Sequence, residues 1–345
     1  MLACNDLWKI FGKTPDKVYQ AIAPSLSEAD DPSTRHGYPD HVVAVRGVSF
    51  EVDKGETFVV MGLSGSGKST LVRCLTRLTE PTAGELFIEG RDVRRMSEAA
   101  LRQLRRFKVS MVFQNFGLFP HRRVIDNVAY GLEVRGVSLR DRHDQATHMI
   151  DLVGLKGWEM HYPRQLSGGM QQRVGLARAL AVDPDVMLFD EPFSALDPLI
   201  RREMQDELLR LQGTLHKTSV FITHDFTEAL KLGDRIAIMR NGRFVQVGTS
   251  QELVLRPKDD YVRAFVKDAP RAKVLTAKTI MTPLPAGYPG FSPNGHSRAC
   301  GTDASLETIL PMLADGDVSV TVLQSGDAVG AVDRAGVIRA LASVV

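Results

Sequence analysis

The sequence GLSGSGKST at Gly62–Thr70 predicts a loop that wraps around nucleotide phosphates. It fits the P-loop pattern, in which a first glycine is followed at fixed spacing by Gly67, Lys68 and Ser69. A strand-like run at Glu56–Met61 precedes the loop and a helical pattern follows it, which is the context that the motif requires. A glycine-rich turn without function is the alternative, and the Lys-Ser-Thr ending argues against it.

Backbone geometry explains the chemistry of this loop. Glycines let the chain curl with its N–H groups pointing inward, and the start of the next helix favours negative charge. We expect Lys68 to reach the β- and γ-phosphates of ATP, Ser69 to ligate Mg²⁺ and Thr70 to support an inner phosphate. The predicted ATP-binding residues of the loop are Gly62, Leu63, Ser64, Gly65, Ser66, Gly67, Lys68, Ser69 and Thr70.

Three further strand-like runs end in polar residues suited to ATP hydrolysis. The apolar run Val186–Phe189 ends in Asp190, a candidate Mg²⁺ contact, and Glu191, a candidate general base for the attacking water. His224 follows Val220–Thr223 as a candidate contact to the γ-phosphate.

Gln114 follows the third run, Ser110–Phe113, and is placed to touch both Mg²⁺ and the attacking water. A lone Gln or His at a strand end is more often an ordinary polar cap. The order and context of these segments favour the catalytic interpretation.

A second glycine-centred string, LSGGMQQR at Leu166–Arg173, narrows the class. With Gln114, Asp190-Glu191, Ser194–Asp197 and His224, it resembles the conserved motifs of ATP-binding cassette (ABC) ATPases. The resemblance implies an α/β fold and a head-to-tail homodimer that holds two ATP molecules between its subunits. In such a dimer the signature residues would complete the partner's site, and Asp197 would communicate across the interface. Those signature residues are Ser167, Gly168, Gly169 and Gln171.

Longer strings resemble the ATPase subunits of glycine betaine/proline-betaine importers. They are LWKIFG at Leu7–Gly12, FSALDPLIRREMQDELLRLQ at Phe193–Gln212 and GDRIAIMRNGRFVQVGT from Gly233. This resemblance implies import of a quaternary amine osmolyte, with transmembrane permease subunits and an extracytoplasmic substrate-binding protein as partners. It also implies peripheral attachment at the cytoplasmic face of the bacterial plasma membrane, and it makes Phe11 the candidate that stacks on adenine.

Composition is compatible with this class. The 345 residues carry a net charge of +2, which gives no sign of a nucleic-acid partner. No apolar run approaches the length of about 18 residues that marks a membrane-spanning helix, so we expect any pore to come from partner subunits. The three isolated cysteines fit a reducing cytoplasm.

The predicted organisation is an ABC ATPase domain at 1–266, a linker at 267–274 and a regulatory module at 275–345. This module resembles a single cystathionine-β-synthase (CBS) module. The ATPase domain contains an insertion at 13–41 and a helical subdomain at about 115–165, in which amphipathic stretches occur at Val124–Arg135 and Asp141–Val153. In the helical subdomain, Phe116, Phe119 and His121 are candidates for contacting the permease. Packing of the two phenylalanines inside the subdomain is an equal alternative.

The module has its own alternating pattern of helices and strands. We expect a helix at Ser305–Ala314, strands at Val318–Leu323 and Ala328–Val332, and a closing helix at Ala335–Leu341. Nucleotide-binding modules of this type carry Ser/Thr and Asp where this sequence has Asp333 and Gly336, which argues against a second nucleotide site. Its predicted core includes Leu306, Ile309, Leu310, Val320, Val322, Val332 and Ile338.

Related importers with such modules respond to ionic strength through cationic surfaces that meet anionic lipid. From Thr276 onward this chain has six acidic and four basic residues, so the basic stretch Arg256–Lys273 is the better candidate for such sensing.

Two alternative functions remain open at this stage. One is an importer ATPase for another solute, such as choline, an amino acid or a polyamine, because nothing in the cassette would touch the solute. The other is a soluble ABC ATPase that acts on ribosomes or DNA, although such proteins usually carry two cassettes or a long coiled-coil insertion.

Overall fold

The computed structural model describes residues 1–23, 40–114, 117–284, 298–314 and 319–342. The chain divides into two compact units, Met1–Val247 and Gly248–Val345. This division falls before the predicted end of the ATPase domain at 266. Phe116 and Tyr38, an aromatic residue of the predicted insertion, lie outside the described residues.

A six-stranded sheet forms the centre of the first unit. Its strands in spatial order are β10 (Arg243–Gly248), β9 (Arg235–Arg240), β3 (Thr57–Met61), β8 (Thr218–Thr223), β7 (Val186–Asp190) and β6 (Val109–Val112). Strands β9, β3, β8, β7 and β6 pair in parallel. Every residue of β3, β7 and β8 is buried, as expected for central parallel strands covered on both faces.

A second, antiparallel sheet packs beside the first. It contains β2 (Val42–Val52), β1 (Leu2–Phe11), β4 (Ala83–Ile88) and β5 (Arg91–Asp92), in that order. Phe50 on β2 stacks on Phe58 of β3, with ring centroids 4.7 Å apart. One hydrophobic core therefore joins residues of both sheets.

Helices of the first unit cover the sheets and build the predicted helical subdomain. They are α1 (Pro15–Ile22), α2 (Lys68–Leu75), α3 (Glu98–Phe107), α4 (Val124–Val128), α5 (Tyr130–Val134), α6 (Leu139–Leu152), a short 3-10 helix (Pro163–Gln165), α7 (Gly168–Ala181), α8 (Pro198–Leu215) and α9 (Phe226–Leu232). The amphipathic stretch predicted at Val124–Arg135 is thus two short helices. The break falls at Ala129, which follows α4 and precedes α5.

Helix α1 shows what the described part of the insertion does. Its Tyr19 packs edge-on against Trp8 of β1, with centroids 5.4 Å apart, beside the buried Val18 and Ile22. These residues form a small separate core with Ile10.

The second unit combines short helices with a four-stranded sheet. The helices are α10 (Ser250–Leu255), α11 (Asp260–Val266), α12 (Arg271–Val274), α13 (Ala277–Ile280), α14 (Leu306–Ala314) and α15 (Arg334–Ala342). The strands lie in the order β11 (Thr282–Pro283), β14 (Asp327–Asp333), β13 (Ser319–Gln324) and β12 (Ala299–Gly301). The predicted pattern of helices and strands is confirmed to within two residues at each boundary.

Two of the core residues predicted for the second unit are wrong. Leu310 is 37% exposed and Ile338 is 57% exposed, whereas Leu313 and Val337 are buried. Helix periodicity explains Leu310, because the buried Leu306, Ile309 and Leu313 centre the apolar stripe of α14 and Leu310 lies at the edge of that stripe.

Candidate active site

Most of the predicted nucleotide-binding residues line a pocket of about 630 Å³ in the first unit. Five of the predicted ATP-binding, catalytic or metal-contacting residues are not in its described lining: Gly62, Leu63, Ser66, Asp190 and His224. Its described lining is Phe11, His41, Val42, Val43, Ala44, Ser64, Gly65, Gly67, Lys68, Ser69, Thr70, Gln114, Glu191, Asn241 and Gly242. The parallel strands β3 and β7 deliver the loop and Glu191 from the same edge of the sheet, which is why segments far apart in sequence meet here.

Two glycines of the loop are required by the backbone around them. Gly67 has φ +105°, and a Cβ there would lie 2.0 Å from the carbonyl oxygen of Ala44. Gly62 has φ +158°, and its Cβ would lie 2.3 Å from the carbonyl oxygen of Met239. The loop is therefore pressed against β2 and β9, in addition to having the curl that phosphate binding requires.

Lys68, the first residue of α2, is buried against the phosphate loop. Its Nζ donates hydrogen bonds to the carbonyl oxygens of Gly62, at 2.8 Å, and Leu63, at 3.0 Å. The same atom lies 3.6 Å from Oε1 of Glu191. Burial lowers the pKa of Lys68, and the charge of Glu191 opposes that shift. The ammonium group of Lys68 is thus already in place to pair with a phosphate group that enters the pocket.

Ser69 and Asp190 provide oxygen atoms suited to Mg²⁺. The Ser69 hydroxyl donates to Oδ1 of Asp190 at 2.7 Å, and Asp190 is 3% exposed. Among the described residues, no group of three or more His, Cys, Asp or Glu side chains could hold a metal ion by itself. Mg²⁺ prefers one or two protein oxygens together with phosphate oxygens and waters, so this pair fits an ion that arrives with a nucleotide.

Glu191 and His224 form the catalytic candidate pair. Nδ1 of His224 lies 3.0 Å from Oε2 of Glu191. Glu191 adopts φ +46°, an uncommon value for a residue with a side chain. Its backbone N–H donates to the carbonyl of Ile222 at 3.1 Å, and its carbonyl accepts from the Ser194 hydroxyl at 3.0 Å. These bonds hold the strained turn that aims the carboxylate into the pocket.

Gln114 and Phe11 also line the pocket. Gln114 lies beyond the end of β6, which stops at Val112 rather than at the predicted Phe113. Phe11 is 43% exposed and stands opposite Val42 in the β1–β2 pairing. Lys9 places its Nζ 4.8 Å from the centroid of the Phe11 ring.

Four parts of the pocket lining were not predicted from the sequence: His41, the first residues of β2, Asn241 and Gly242. The Asn-Gly pair between β9 and β10 signals a tight hairpin turn, but it does not show where the turn lies. In the structure, the Gly242 N–H donates to the Ser66 carbonyl at 2.9 Å, and the Gly242 carbonyl accepts from Arg46 N–H at 2.8 Å. This turn thereby ties the phosphate loop to β2.

The signature residues are not among the described residues that line this pocket. Ser167 caps α7, since its side chain accepts from the Met170 N–H at 3.3 Å, and Gln171 donates to the Leu166 carbonyl at 3.2 Å. Ser167 and Gly168 are exposed, whereas Gly169 is buried with Ile200 against it. Helix α7 therefore begins within the signature string, and its first residues are not in the described lining of the chain's own pocket.

Asp197 has a similar place at the start of α8. Its exposed side chain accepts hydrogen bonds from the Leu199 and Ile200 N–H groups, each at 3.1 Å. This cap fixes the orientation of the segment that precedes the helix.

Phe119 packs within the helical subdomain. Its ring lies 4.6 Å from that of Tyr130, and the Arg122 guanidinium lies 5.5 Å from its centroid. These contacts favour the packing interpretation for Phe119, while His121 is exposed.

Comparison with known proteins agrees with this geometry. The family model for ABC transporters matches residues 45–194. The glycine betaine transport ATP-binding protein OpuAA of Bacillus subtilis is 54% identical over 273 residues, which are 79% of this chain and 64% of the relative. The chain therefore spans less than two thirds of that relative.

Two other matches cover almost the whole length of the other protein. The trimethylamine N-oxide transport system ATP-binding protein TmoW of Ruegeria pomeroyi is 47% identical over 342 residues, which are 99% of this chain and 97% of the relative. The dimeric post-hydrolysis structure of the ATP-binding cassette MJ0796 with ADP and Pi superposes with a TM-score of 0.60. That match has 30% identity and covers 72% of this chain and 98% of the other.

The sheet, the phosphate loop and the strand-end carboxylates define an ATP-binding cassette with the α/β fold of P-loop proteins. The chain belongs to the ABC transporter family, among its ATP-binding proteins. Within the described residues, no helix is both long and apolar enough to cross a membrane.

Proposed function

We propose that the chain is the ATP-hydrolysing subunit of an ABC importer for a small methylated amine osmolyte. The observation that carries this proposal is the placement of Glu191, which lines the phosphate pocket, between Lys68 at 3.6 Å and His224 at 3.0 Å. A carboxylate held there by a rigid strand end suits a base that accepts a proton from the attacking water. A P-loop protein that only binds nucleotide, without hydrolysing it, would not need this arrangement.

Each catalytic or cofactor-binding candidate has a proposed task. Lys68 neutralises charge on the outer phosphates, His224 contacts the γ-phosphate and Gln114 orients the attacking water. Ser69, Gln114 and Asp190 would hold Mg²⁺, which supplies positive charge against the phosphate oxygens when ATP is bound. Phe11 is the proposed stacking partner of adenine.

The proposed assembly is a head-to-tail homodimer. Ser167, Gly168, Gly169 and Gln171 of one copy would complete the site of the other copy, and Asp197 would communicate between them. The exposed start of α7 supports this arrangement, because the positive end of its helix dipole favours contact with phosphate. The homodimer would drive a separate transmembrane permease, supplied by a substrate-binding protein, from the cytoplasmic face of the bacterial plasma membrane.

Glycine betaine or proline betaine is the first candidate substrate, because long strings of this chain resemble importers of these solutes and OpuAA is named for glycine betaine. Trimethylamine N-oxide is a second candidate. The observation that favours it is length, since TmoW of Ruegeria pomeroyi matches almost the whole chain, including the second unit.

Transport by the reconstituted complex of this chain with its permease and binding protein tests the proposal. We expect ATP-dependent uptake of radiolabelled glycine betaine or trimethylamine N-oxide into vesicles, and no uptake with Lys68→Ala. Competition by the unlabelled solutes ranks the two candidates. Uptake of an amino acid or polyamine, with neither methylated amine competing, would contradict the proposed substrate class.

The region 275–345 is proposed to be a regulatory module of the CBS type. Its parallel pair β12–β13 and its flanking helices α14 and α15 support this proposal. We expect no second nucleotide site there, because Asp333 and Gly336 occupy the positions that would hold phosphate and ribose.

A further inference from the structure

Two helices of the first unit begin directly after catalytic segments. Helix α8 follows Ser194–Asp197, and α9 starts two residues after His224. The two helices pack against each other. Any contact that fixes their register also fixes the segments from which they start.

A buried polar pair joins these helices. Gln205 on α8 is 6% exposed and Glu228 on α9 is 4% exposed. Nε2 of Gln205 donates to Oε1 of Glu228 at 3.1 Å. The Thr223 hydroxyl also hydrogen-bonds this carboxyl group.

A second tie lies one helical turn closer to the catalytic segments. Nη1 of Arg201 lies 3.6 Å from Oδ2 of Asp225. The same guanidinium donates to the Leu196 carbonyl at 3.1 Å, within the segment that precedes α8. Arg201 therefore connects the Ser194–Asp197 segment to the residue that follows His224.

Both sequence neighbours of His224, Thr223 and Asp225, take part in hydrogen bonds that fix its position. The Asp225 N–H donates to the Thr223 hydroxyl at 3.0 Å, and Oδ1 of Asp225 accepts from the Glu228 N–H at 3.1 Å. Thr223 and Asp225 both contact Glu228, so the peptide that carries His224 is anchored to the buried pair. A small cavity between Glu191, His224 and Glu228 brings the three side chains into one neighbourhood.

The chemistry of the pair argues for orientation rather than for packing. Burial raises the pKa of Glu228, and hydrogen bonds from Thr223 and Gln205 oppose that shift. Buried polar pairs cost desolvation, and apolar residues of similar volume often stabilise a protein better. Hydrogen bonds are directional, so the polar pair favours one register of α8 against α9.

We propose that Gln205 and Glu228 are positioning residues that hold His224 against Glu191 and tie His224 to the Ser194–Asp197 segment. The proposal rests on the proposed function, in which Glu191 and His224 act on the γ-phosphate. Neither Gln205 nor Glu228 belongs to the described lining of the nucleotide pocket. Their loss should therefore slow turnover without weakening ATP binding.

Steady-state ATP hydrolysis by the full chain tests this inference. Glu228→Ala should lower kcat by roughly tenfold or more, because small misplacement of a catalytic group costs that much, and it should leave KM for ATP within about twofold. Leu232→Ala is the matched control, since Leu232 is buried on the same helix and takes no part in the Gln205–Glu228 hydrogen bond. An equal fall in kcat for both variants, measured below their melting transitions, would overturn the inference.

Two further variants separate orientation from folding. Glu228→Gln should restore most of kcat, because an amide oxygen can accept from Gln205. The double variant Gln205→Leu with Glu228→Leu should keep the melting temperature while losing kcat as Glu228→Ala does. A wild-type kcat in the double variant would show that packing alone suffices and would overturn the inference.

Glu191→Gln, assayed in the same experiment, distinguishes failure of the positioning inference from failure of the proposed function. Loss of hydrolysis in Glu191→Gln with unchanged hydrolysis in every Glu228 variant would sink the positioning inference only. Wild-type hydrolysis in Glu191→Gln would instead remove the proposed function on which the inference rests.

Discussion

Glu191 combines a strained backbone with a shielded carboxylate. Its φ of +46° costs about 1–3 kcal/mol, and its side chain is only 18% exposed. Bonds to the Ile222 carbonyl and from the Ser194 hydroxyl over-determine the turn. Strain that the surrounding hydrogen bonds maintain at one residue points to a role in chemistry rather than in stability.

Replacing Glu191 by Gln should separate binding from hydrolysis. The amide preserves the shape of the side chain but cannot accept a proton from water, so we expect kcat to fall by about 10²–10⁴ with ATP affinity retained. ATPase assays and nucleotide titration measure the two quantities. Glu203→Gln, an exposed change on α8, is the control and should keep full activity. Full hydrolysis by Glu191→Gln would refute the assigned base.

Gly67 should not tolerate a Cβ. Gly67→Ala places a methyl group 2.0 Å from the Ala44 carbonyl oxygen at φ +105°, so we expect loss of ATP binding and a lowered free energy of unfolding. Gly90→Ala is the matched control, because Gly90 has φ +72° and nothing within 4 Å of its Cβ. It should cost only about 1–2 kcal/mol and leave ATP affinity unchanged. Equal effects of the two variants would show that the close approach to β2 is unimportant.

At the scale of elements, the helix N-termini differ in how they are capped. Helix α2 begins after Gly67 with no hydrogen bond from a capping side chain, so its first N–H groups are available to phosphate. Helices α7 and α8 are capped by Ser167 and Asp197. The cap of α7 is exposed, which suits a contact made by a second copy of the chain.

Ser167→Arg should therefore damage turnover without damaging ATP binding to the monomer. An arginine at this position would place bulk against the partner's γ-phosphate, so we expect loss of hydrolysis and of ATP-driven dimerisation. Light scattering and ATPase assays provide the measurements. Loss of monomer affinity as severe as in Lys68→Ala would contradict the head-to-tail arrangement.

Ser138→Arg provides the control for the capping function itself. Ser138 caps α6, where it accepts from the Asp141 N–H at 3.3 Å. Both substitutions remove a helix cap worth about 1 kcal/mol, but only Ser167→Arg should abolish turnover.

At the scale of the whole molecule, the nucleotide pocket belongs to the first unit alone. The last described residue in its lining is Gly242, and the first unit ends at Val247. The second unit has its own sheet and its own buried residues, such as Leu306, Val320 and Val332. Nucleotide binding and any regulatory role of the second unit are therefore encoded in separate parts of the chain.

Removing residues 248–345 should leave ATP binding intact. All described residues of the pocket remain in the shortened chain, so we expect the Kd for ATP to match that of the full chain in the same titration. Lys68→Ala in the full chain serves as the negative control. A shortened protein that folds, as judged by circular dichroism, but does not bind ATP would show that the second unit contributes to the site.

The sequence by itself determined the chemistry of the pocket. The phosphate loop, the helix that follows it and the strand-end residues Asp190 and Glu191 were all predictable, because their conformations depend on neighbours in sequence. Glycine content sets the loop's backbone, and continuous apolar runs identify buried strands. The structure places these segments where the patterns indicated.

Only the tertiary structure decided which distant segments complete the pocket and hold its residues in place. His41 and Asn241 line the pocket because β1 pairs with β2 and because the β9–β10 turn bonds to Ser66. The Gln205–Glu228 bond likewise joins two helices whose sequences give no sign of the contact. Contacts of this kind depend on how whole elements pack, and the free energy of that packing is spread over many residues that no local pattern contains.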